Sequence, residues 1–141
     1  MKHSNLPLSA VQKLARDIAK KVVKTGGVIG LSGNLGSGKT TFTKAFAKQL
    51  GIKRIKSPTF IVSQRHPLKN KFLYHLDFYR LDRPKQLAPL GLSEILKPLN
   101  IVVIEWIEKF PSIKRKCDIL INLKVTEKDH RDVNVKFPKN K

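Results

Sequence analysis

The sequence predicts an α/β fold, in which buried strands are interleaved with helices. The apolar run V-I-G-L-S at 28–32 is typical of a short buried strand, and a glycine-rich loop follows it. Directly after that loop, K-T-T-F-T-K-A-F-A-K-Q-L at 39–50 has helical periodicity. A second apolar run, I-V-V-I at 101–104, predicts another buried strand. A length of 141 residues suits one hydrophobic core, so we expect a single domain over residues 1–141.

Two further segments have helical character. Apolar residues recur at helical spacing over 10–23. Ser9 and Gln12 fit a capping box at the start of this helix, and Gly26 and Gly27 favour its end. Residues 82–100 contain three prolines, so any helix there must be short or broken.

Four other segments are expected to be extended. S-P-T-F-I-V-S-Q at 57–64 and K-F-L-Y-H-L-D-F-Y at 71–79 flank the turn sequence P-L-K-N. They predict an antiparallel hairpin inserted after the helix at 39–50, with alternating apolar residues on its core face. Residues 117–125 and 132–137 predict two more strands, joined by a polar loop that contains Arg131. The lysine-rich tail at 138–141 is expected to be frayed.

The glycine loop fits the Walker A pattern, G-x-x-x-x-G-K-[ST], over residues 33–40. Glycines let successive backbone N–H groups turn toward phosphate oxygens, and the following helix adds the positive end of its dipole. Lys39 is expected to reach the β- and γ-phosphates, and the Thr40 hydroxyl to bind Mg²⁺. The predicted nucleotide-binding residues of this loop are Gly33, Gly36, Ser37, Gly38, Lys39, Thr40 and Thr41.

Polar side chains elsewhere are candidates to complete the site. Glu105 ends a buried strand, where a P-loop protein places the acid that serves the metal, although a charged residue also simply marks strand ends. Asp77 is a candidate to orient water or bind the metal, or else is surface polarity on an edge strand. Trp106 either covers the nucleotide or packs in the core. Thr59 is placed to sense the γ-phosphate.

Charge and composition limit the partners and the cellular compartment to be expected. The chain has 29 Lys and Arg against 10 Asp and Glu, a net charge of +19. Such a surface attracts polyanions such as RNA, unless it reflects only a lysine-biased composition. The lone Cys117 suits a reducing compartment, and no secretory signal is evident, so we expect a cytoplasmic protein. The longest strongly apolar run is too short to span a membrane, so no membrane partner is expected.

The order of motifs is more specific than the glycine loop alone. G-N-L-G-S-G-K-T-T-F is followed by S-P-T-F, H-L-D-F-Y-R-L, G-L at 91–92 and I-E-W. From about residue 8 to residue 137, this order resembles the TsaE (YjeE) family, the P-loop ATPase of bacterial tRNA threonylcarbamoyladenosine synthesis. The resemblance implies an α/β P-loop domain with a central mixed sheet flanked by helices.

The resemblance also implies an activity and partners. It implies slow, Mg²⁺-dependent ATP hydrolysis in a complex with TsaB- and TsaD-type proteins, with tRNA contacted directly or through that complex. Lys39, Asp77 and Glu105 would be catalytic. The implied metal-linked residues are Thr40, Glu105 and Asp77, and the implied nucleotide contacts beyond the loop are the switch-like 57–60 with Thr59, Trp106 and Arg131.

The chain departs from the family pattern at two places. The second loop residue is Asn34 where the family usually has Asp, which changes the local charge. The family's more acidic version of 82–100 is missing, which puts a partner contact there in doubt.

Arg80 is either a positive charge for catalysis or a surface arginine that snorkels or pairs.

Two other functions fit parts of the sequence. A small-molecule kinase shares the P-loop, but kinases usually have an arginine-bearing lid, and the arginines here are scattered. A basic RNA-binding module with a vestigial P-loop would stack bases on Phe72, Tyr74 and Phe78, but their strict alternation favours the core face of the hairpin. A GTPase is disfavoured because Asn70-Lys71 does not continue into an N-K-x-D motif.

Overall fold

A computed structural model describes residues 1–55 and 62–138. Seven strands form one sheet in the order β1-β7-β6-β2-β5-β4-β3. The strands are β1 Lys2–Pro7, β2 Gly27–Ser32, β3 Ser63–Pro67, β4 Phe72–Asp77, β5 Ile101–Glu105, β6 Ile119–Glu127 and β7 His130–Lys136. The helices are α1 Leu8–Val22, α2 Lys39–Gln49, α3 Leu92–Ile95 and α4 Pro111–Lys114, with 3₁₀ turns at Pro84–Leu90 and Ile107–Lys109.

The sheet is mixed, which confirms the predicted fold class. Strand β2 lies parallel to both β5 and β6, and β5 lies parallel to β4. The pairs β3–β4, β6–β7 and β1–β7 are antiparallel. Because β2, β5 and β4 run in the same direction, their carboxyl ends meet at one edge of the sheet, the usual place for a ligand in open α/β sheets.

Helices cover both faces of the sheet. On one face, α1 and α2 pack Val11, Phe42 and Phe46 against the inward side chains of β2. On the other face, Ile113 of α4 and Phe110 pack against the opposite side of β2 and β5. Strand β2 is therefore buried on both sides, which explains its continuous apolar run.

The predicted hairpin is present, and its second strand lies inside the sheet. Its first strand is Ser63–Pro67, and residues 57–61 of the segment predicted to form it lie outside the described part of the chain. β3 pairs antiparallel with β4, while β4 also pairs with β5, so of the two hairpin strands only β3 lies at an edge of the sheet. Tyr74 and Phe78 are buried, and Phe72 packs partly buried beside them. The alternating aromatic residues thus form the core face of the hairpin and are not an exposed platform for stacking bases.

Several local expectations were wrong. The first helix begins at Leu8 with Pro7 at its N-cap and no side-chain cap, so Ser9 does not cap it. Arg131 lies within β7 and not in a loop.

The broken helix at 82–100 is confirmed as a 3₁₀ turn followed by the short α3. The described part of the chain contains no helix long and apolar enough to cross a bilayer.

Candidate nucleotide-binding site

The glycine loop joins the carboxyl end of β2 to the start of α2. Gly33 has a φ of 144°, and a Cβ there would lie 2.4 Å from the backbone oxygen of Leu123, so no larger residue fits without a shift. Gly38 has a φ of 104° and is the N-cap of α2. No side chain of the described residues caps this end, so the first N–H groups of the helix are available to an anion.

Lys39 lies inside the loop that precedes it. Its Nζ donates to the backbone oxygens of Gly33 and Asn34, the latter at 2.9 Å, and to Oγ of Ser37 at 3.3 Å. The same Nζ lies 4.1 Å from the centroid of the Trp106 ring. The ammonium group is thus fixed at the centre of the loop by carbonyl dipoles and an aromatic face.

The charge of Lys39 is set by its surroundings. Burial lowers the pKa of its ammonium group, and the nearby carboxylates of Glu108, Glu105 and Asp77 partly offset that effect. A negatively charged ligand beside Nζ would favour the protonated form further. The electrostatics of the site therefore favour an anion at this position.

Glu105 is hydrogen-bonded to three side chains, two on α2 and one on β4. It ends β5 and is only 2% exposed. Its Oε1 accepts from Oγ1 of Thr40 at 3.1 Å, and its Oε2 lies 3.3 Å from Oγ1 of Thr43 and 2.6 Å from Nε2 of His75. These donors offset the cost of burying a carboxylate, so Glu105 is held in one orientation beside the start of α2.

Two partners of Glu105 were not predicted from the sequence. His75 is buried in β4 and reaches Glu105 because β4 pairs in parallel with β5. Thr43 lies one helical turn after Lys39, on the buried side of α2. Helical spacing from Lys39 would have pointed to Thr43, but the contact of His75 depends on the order of strands, which is not a local property of the sequence.

Asp77 lies at the same edge of the sheet as Glu105. The two residues are paired in register between β4 and β5. One carboxylate oxygen of Asp77, Oδ1, accepts from the backbone N–H of Tyr79 at 2.8 Å. Burial raises the pKa of Asp77 and the Glu105 carboxylate adds to that effect, while the Tyr79 hydrogen bond opposes it. The structure therefore brings two acids with different environments to one edge.

A cavity of about 390 Å³ opens over this edge. It has the size expected of a small-molecule site. Predicted site residues line most of it: Gly36, Gly38, Lys39, Thr40, Thr41, Asp77, Glu105, Trp106 and Arg131. Gly33 and the buried Ser37 are not among its described lining residues, but both contact Lys39. The predicted Thr59 and the segment 57–60 lie outside the described residues.

Trp106 adopts an unusual backbone conformation. Its φ of 62° and ψ of 39° place it in the left-handed region, which is uncommon for a bulky residue. In this conformation its ring lies over Lys39 and 5.0 Å from the ring centroid of Tyr79. Trp106 is only partly buried, so it is a wall of the cavity as well as a packing residue. Such strain is found preferentially at functional sites.

Two arginines also line the cavity. Arg131 reaches across from β7, and its Nε donates to the backbone oxygen of Ser37 at 2.7 Å, while a terminal nitrogen lies 3.4 Å from that of Gly36. It therefore holds the glycine loop from the side. Arg80 is exposed at the cavity rim, just after β4. Both alternatives for Arg80, catalysis or a surface role, stay open.

The oxygen donors at this edge fit a magnesium ion. Mg²⁺ prefers hard oxygen ligands and usually takes one or two protein groups, with water and phosphate oxygens completing its shell. The hydroxyl of Thr40 and the carboxylate of Glu105 are adjacent, and Asp77 lies nearby. The described residues contain no cluster of three or more His, Cys, Asp or Glu that would cage a metal by itself. The donor set therefore fits a metal that is shared with phosphate.

A family model and several known proteins that resemble this chain share one description. Residues 7–133 match the model of the family described as "Threonylcarbamoyl adenosine biosynthesis protein TsaE". A protein of Haemophilus influenzae, named tRNA threonylcarbamoyladenosine biosynthesis protein TsaE, is 34% identical over 113 residues, which are 79% of this chain and 72% of that relative. A Bacillus subtilis protein of the same name is 42% identical over 98 residues, which are 69% of this chain but only 58% of that relative.

A solved structure agrees with the sequence matches. The crystal structure of YdiB from Bacillus subtilis superposes with a TM-score of 0.73 and 29% identity, covering 97% of this chain and 84% of that one. The family match spans the glycine loop, both acids and Arg131. The chain belongs to the TsaE family of P-loop proteins.

Proposed function

We propose that this chain binds ATP with Mg²⁺ and hydrolyses it slowly to support threonylcarbamoylation of adenosine in tRNA, next to the anticodon. It would act in the cytoplasm with TsaB- and TsaD-type partners. Membership of the TsaE family supports the role in tRNA threonylcarbamoyladenosine biosynthesis. The observation that carries the nucleotide site is the contact of Thr40 with Glu105 beside Lys39, at the start of an uncapped helix.

The phosphate chain would be bound mainly by backbone groups. The uncapped first turn of α2 supplies N–H donors and the positive end of the helix dipole. Lys39 would exchange its contacts with loop carbonyls for contacts with phosphate oxygens, which carry a full negative charge. Arg131 keeps the loop in place by its bonds to Ser37 and Gly36. The choice of ATP over GTP rests on the family alone.

The two acids would have different tasks. Thr40 and Glu105 would hold Mg²⁺, which when bound offsets negative charge on the phosphates. Asp77 has a pKa raised by burial, a property that suits a group that orients water and accepts its proton. In hydrolysis, the water oxygen bonds to the γ-phosphorus as the bond to the β,γ-bridging oxygen breaks, releasing ADP and phosphate. Lys39 would stabilise the developing charge.

Reconstitution tests the proposed role directly. The purified chain is combined with TsaB and TsaD partners, tRNA, threonylcarbamoyl-adenylate and ATP, and modified adenosine is measured over many turnovers. We expect modification to depend on this chain and on ATP, and Lys39→Ala to abolish that dependence. Equal modification with and without the chain would refute the role in the complex. Calorimetry with ATP, GTP and Mg²⁺ tests nucleotide binding on its own.

A further inference from the structure

A long central part of the sequence contains no acidic residue. No Asp or Glu lies between Asp17 and Asp77. This stretch includes α2 and β3, so the lysines and arginines on these two elements have no carboxylate beside them in the chain. The excess positive charge of the protein is therefore concentrated, whereas a lysine-biased composition alone would leave it evenly spread.

The structure gathers five cations of this stretch, together with Arg16 of α1, around one groove. A groove of about 1010 Å³ lies between α1, α2 and the edge strand β3, separate from the nucleotide cavity except that Thr41 borders both. Its lining, as far as the chain is described, holds no carboxylate. We call it the basic groove, and the cations that define it are Arg16, Lys44, Lys48, Lys53, Arg54 and Arg65.

The side chains of the basic groove are available to a ligand. All six of its cations are exposed. No ion pair within residues 1–55 and 62–138 includes any of them. Arg65 lies 4.7 Å from the ring centroid of Phe72, which fixes its position on the β3 wall. Arg16 neighbours the Asp17 carboxylate, but the other five cations form a concentration of positive charge that requires counterions, and release of those counterions favours binding of a polyanion.

We propose that the basic groove binds the phosphate backbone of RNA. Cations stand on both walls, Lys44 and Lys48 on α2 and Arg65 on β3, so a ligand between them must present negative charge on both sides. A phosphate backbone does so, whereas a flat membrane surface would reach only the rims. The choice of RNA over an acidic protein segment rests on the proposed function in tRNA modification. Comparing the binding of tRNA with that of polyglutamate separates the two ligands.

A pair of matched triple variants tests this proposal. The groove variant carries Lys44→Gln, Lys48→Gln and Lys53→Gln. The control variant carries Lys114→Gln, Arg115→Gln and Lys116→Gln, which removes the same charge from exposed residues around α4, on the opposite face of the sheet. Binding of a fluorescently labelled unmodified tRNA transcript is measured by anisotropy across a KCl series, without nucleotide, after thermal unfolding shows that both variants fold.

The proposal predicts a difference between the two variants. The groove variant should bind tRNA about tenfold or more weakly at 0.1 M salt. The slope of log affinity against log KCl concentration should also decrease in magnitude by about two, since each phosphate contact adds about one to that slope. The control should lose clearly less. Equal losses, or no loss in the groove variant, would overturn the proposal. It would also fail if the groove variant lost affinity for polyglutamate but not for tRNA, because that result assigns the groove to an acidic protein.

The result is independent of the nucleotide site. A wild-type chain that binds tRNA through the groove but takes up no nucleotide would refute ATP binding and leave the groove assignment intact. If the chain binds nucleotide but the groove and control variants bind tRNA equally, the groove assignment is refuted and ATP binding stands. The two proposals therefore fail separately.

Discussion

Nε2 of His75 lies 2.6 Å from Oε2 of Glu105, and both side chains are almost fully buried. An ionised carboxylate only accepts hydrogen bonds, so the hydrogen of this bond lies on Nε2. Nδ1 has no partner among the described residues, which agrees with a neutral ring because a second N–H would be buried without an acceptor. His75 therefore sets the orientation of the acid that faces Thr40.

Replacing His75 should damage both stability and metal-dependent binding. In His75→Ala, Glu105 stays buried with one donor fewer, and we expect a loss of about 1–3 kcal/mol in the free energy of unfolding. Nucleotide affinity should fall more with Mg²⁺ than without it, as measured by calorimetry. His75→Gln, which keeps a donor, should recover part of both. A purely structural role would predict equal losses of affinity with and without the metal.

Lys39→Ala should weaken nucleotide binding strongly. The substitution removes the one ammonium group that the loop carbonyls hold at the centre of the site, and hydrogen bonds to charged groups contribute about 1.5–3 kcal/mol. We therefore expect ATP affinity to fall by about tenfold to a hundredfold in calorimetry. Lys114→Ala, an exposed lysine on α4, serves as the control and should bind like the wild type. Unchanged affinity in Lys39→Ala would contradict the assigned loop.

Asp77→Asn should stabilise the ligand-free protein at neutral pH while impairing hydrolysis. Burial raises the folded pKa of Asp77 above its unfolded value of 3.8, so folding favours the protonated carboxyl. The stability that Asp77 contributes is then greatest below pH 3.8 and declines as the pH rises through the folded pKa. The asparagine variant avoids this loss, and its Oδ1 can still accept from Tyr79.

The pH dependence of the melting temperature shows whether burial of the charged Asp77 carboxylate causes the stability difference. The melting temperature of Asp77→Asn should exceed that of the wild type at pH 7, and the gap should close as the pH falls toward 3.8. Thermal unfolding across a pH series measures it, and phosphate release measures hydrolysis. A gap that does not change with pH would show that charge burial at Asp77 is not its source.

Gly33→Ala should destabilise the fold more than Gly51→Ala, a substitution at a glycine that also has a positive φ but has open space around it. Its added Cβ would meet the backbone oxygen of Leu123 at 2.4 Å, so the loop or β6 must move. We expect a loss of about 2 kcal/mol or more in urea unfolding. Gly51→Ala is the matched control, since its φ is 91° but nothing lies within 4 Å of the new Cβ, and it should cost about 1 kcal/mol. Equal losses would contradict the close approach.

The parts of the fold that depend on local patterns were predictable from sequence. The strand β2, the glycine loop and α2 follow one another in the chain, and the apolar run of β5 ends at Glu105. Strand β1 could not be predicted, because K-H-S-N-L-P lacks apolar alternation and is held as a strand by its pairing with β7. The contact of His75 with Glu105 likewise requires that β4 be placed beside β5, which no local pattern specifies.

The reach of Arg131 has a consequence for how the protein is made. The residue that clamps Gly36 and Ser37 lies 94 positions later than Ser37 in the chain, on the last strand. During translation the phosphate-binding loop emerges well before β7, which carries both its clamp and the residues that pair with β1. A nascent chain on the ribosome therefore cannot hold the loop in its final form until β7, His130–Lys136, has also been synthesised, so the loop is completed together with this side of the sheet.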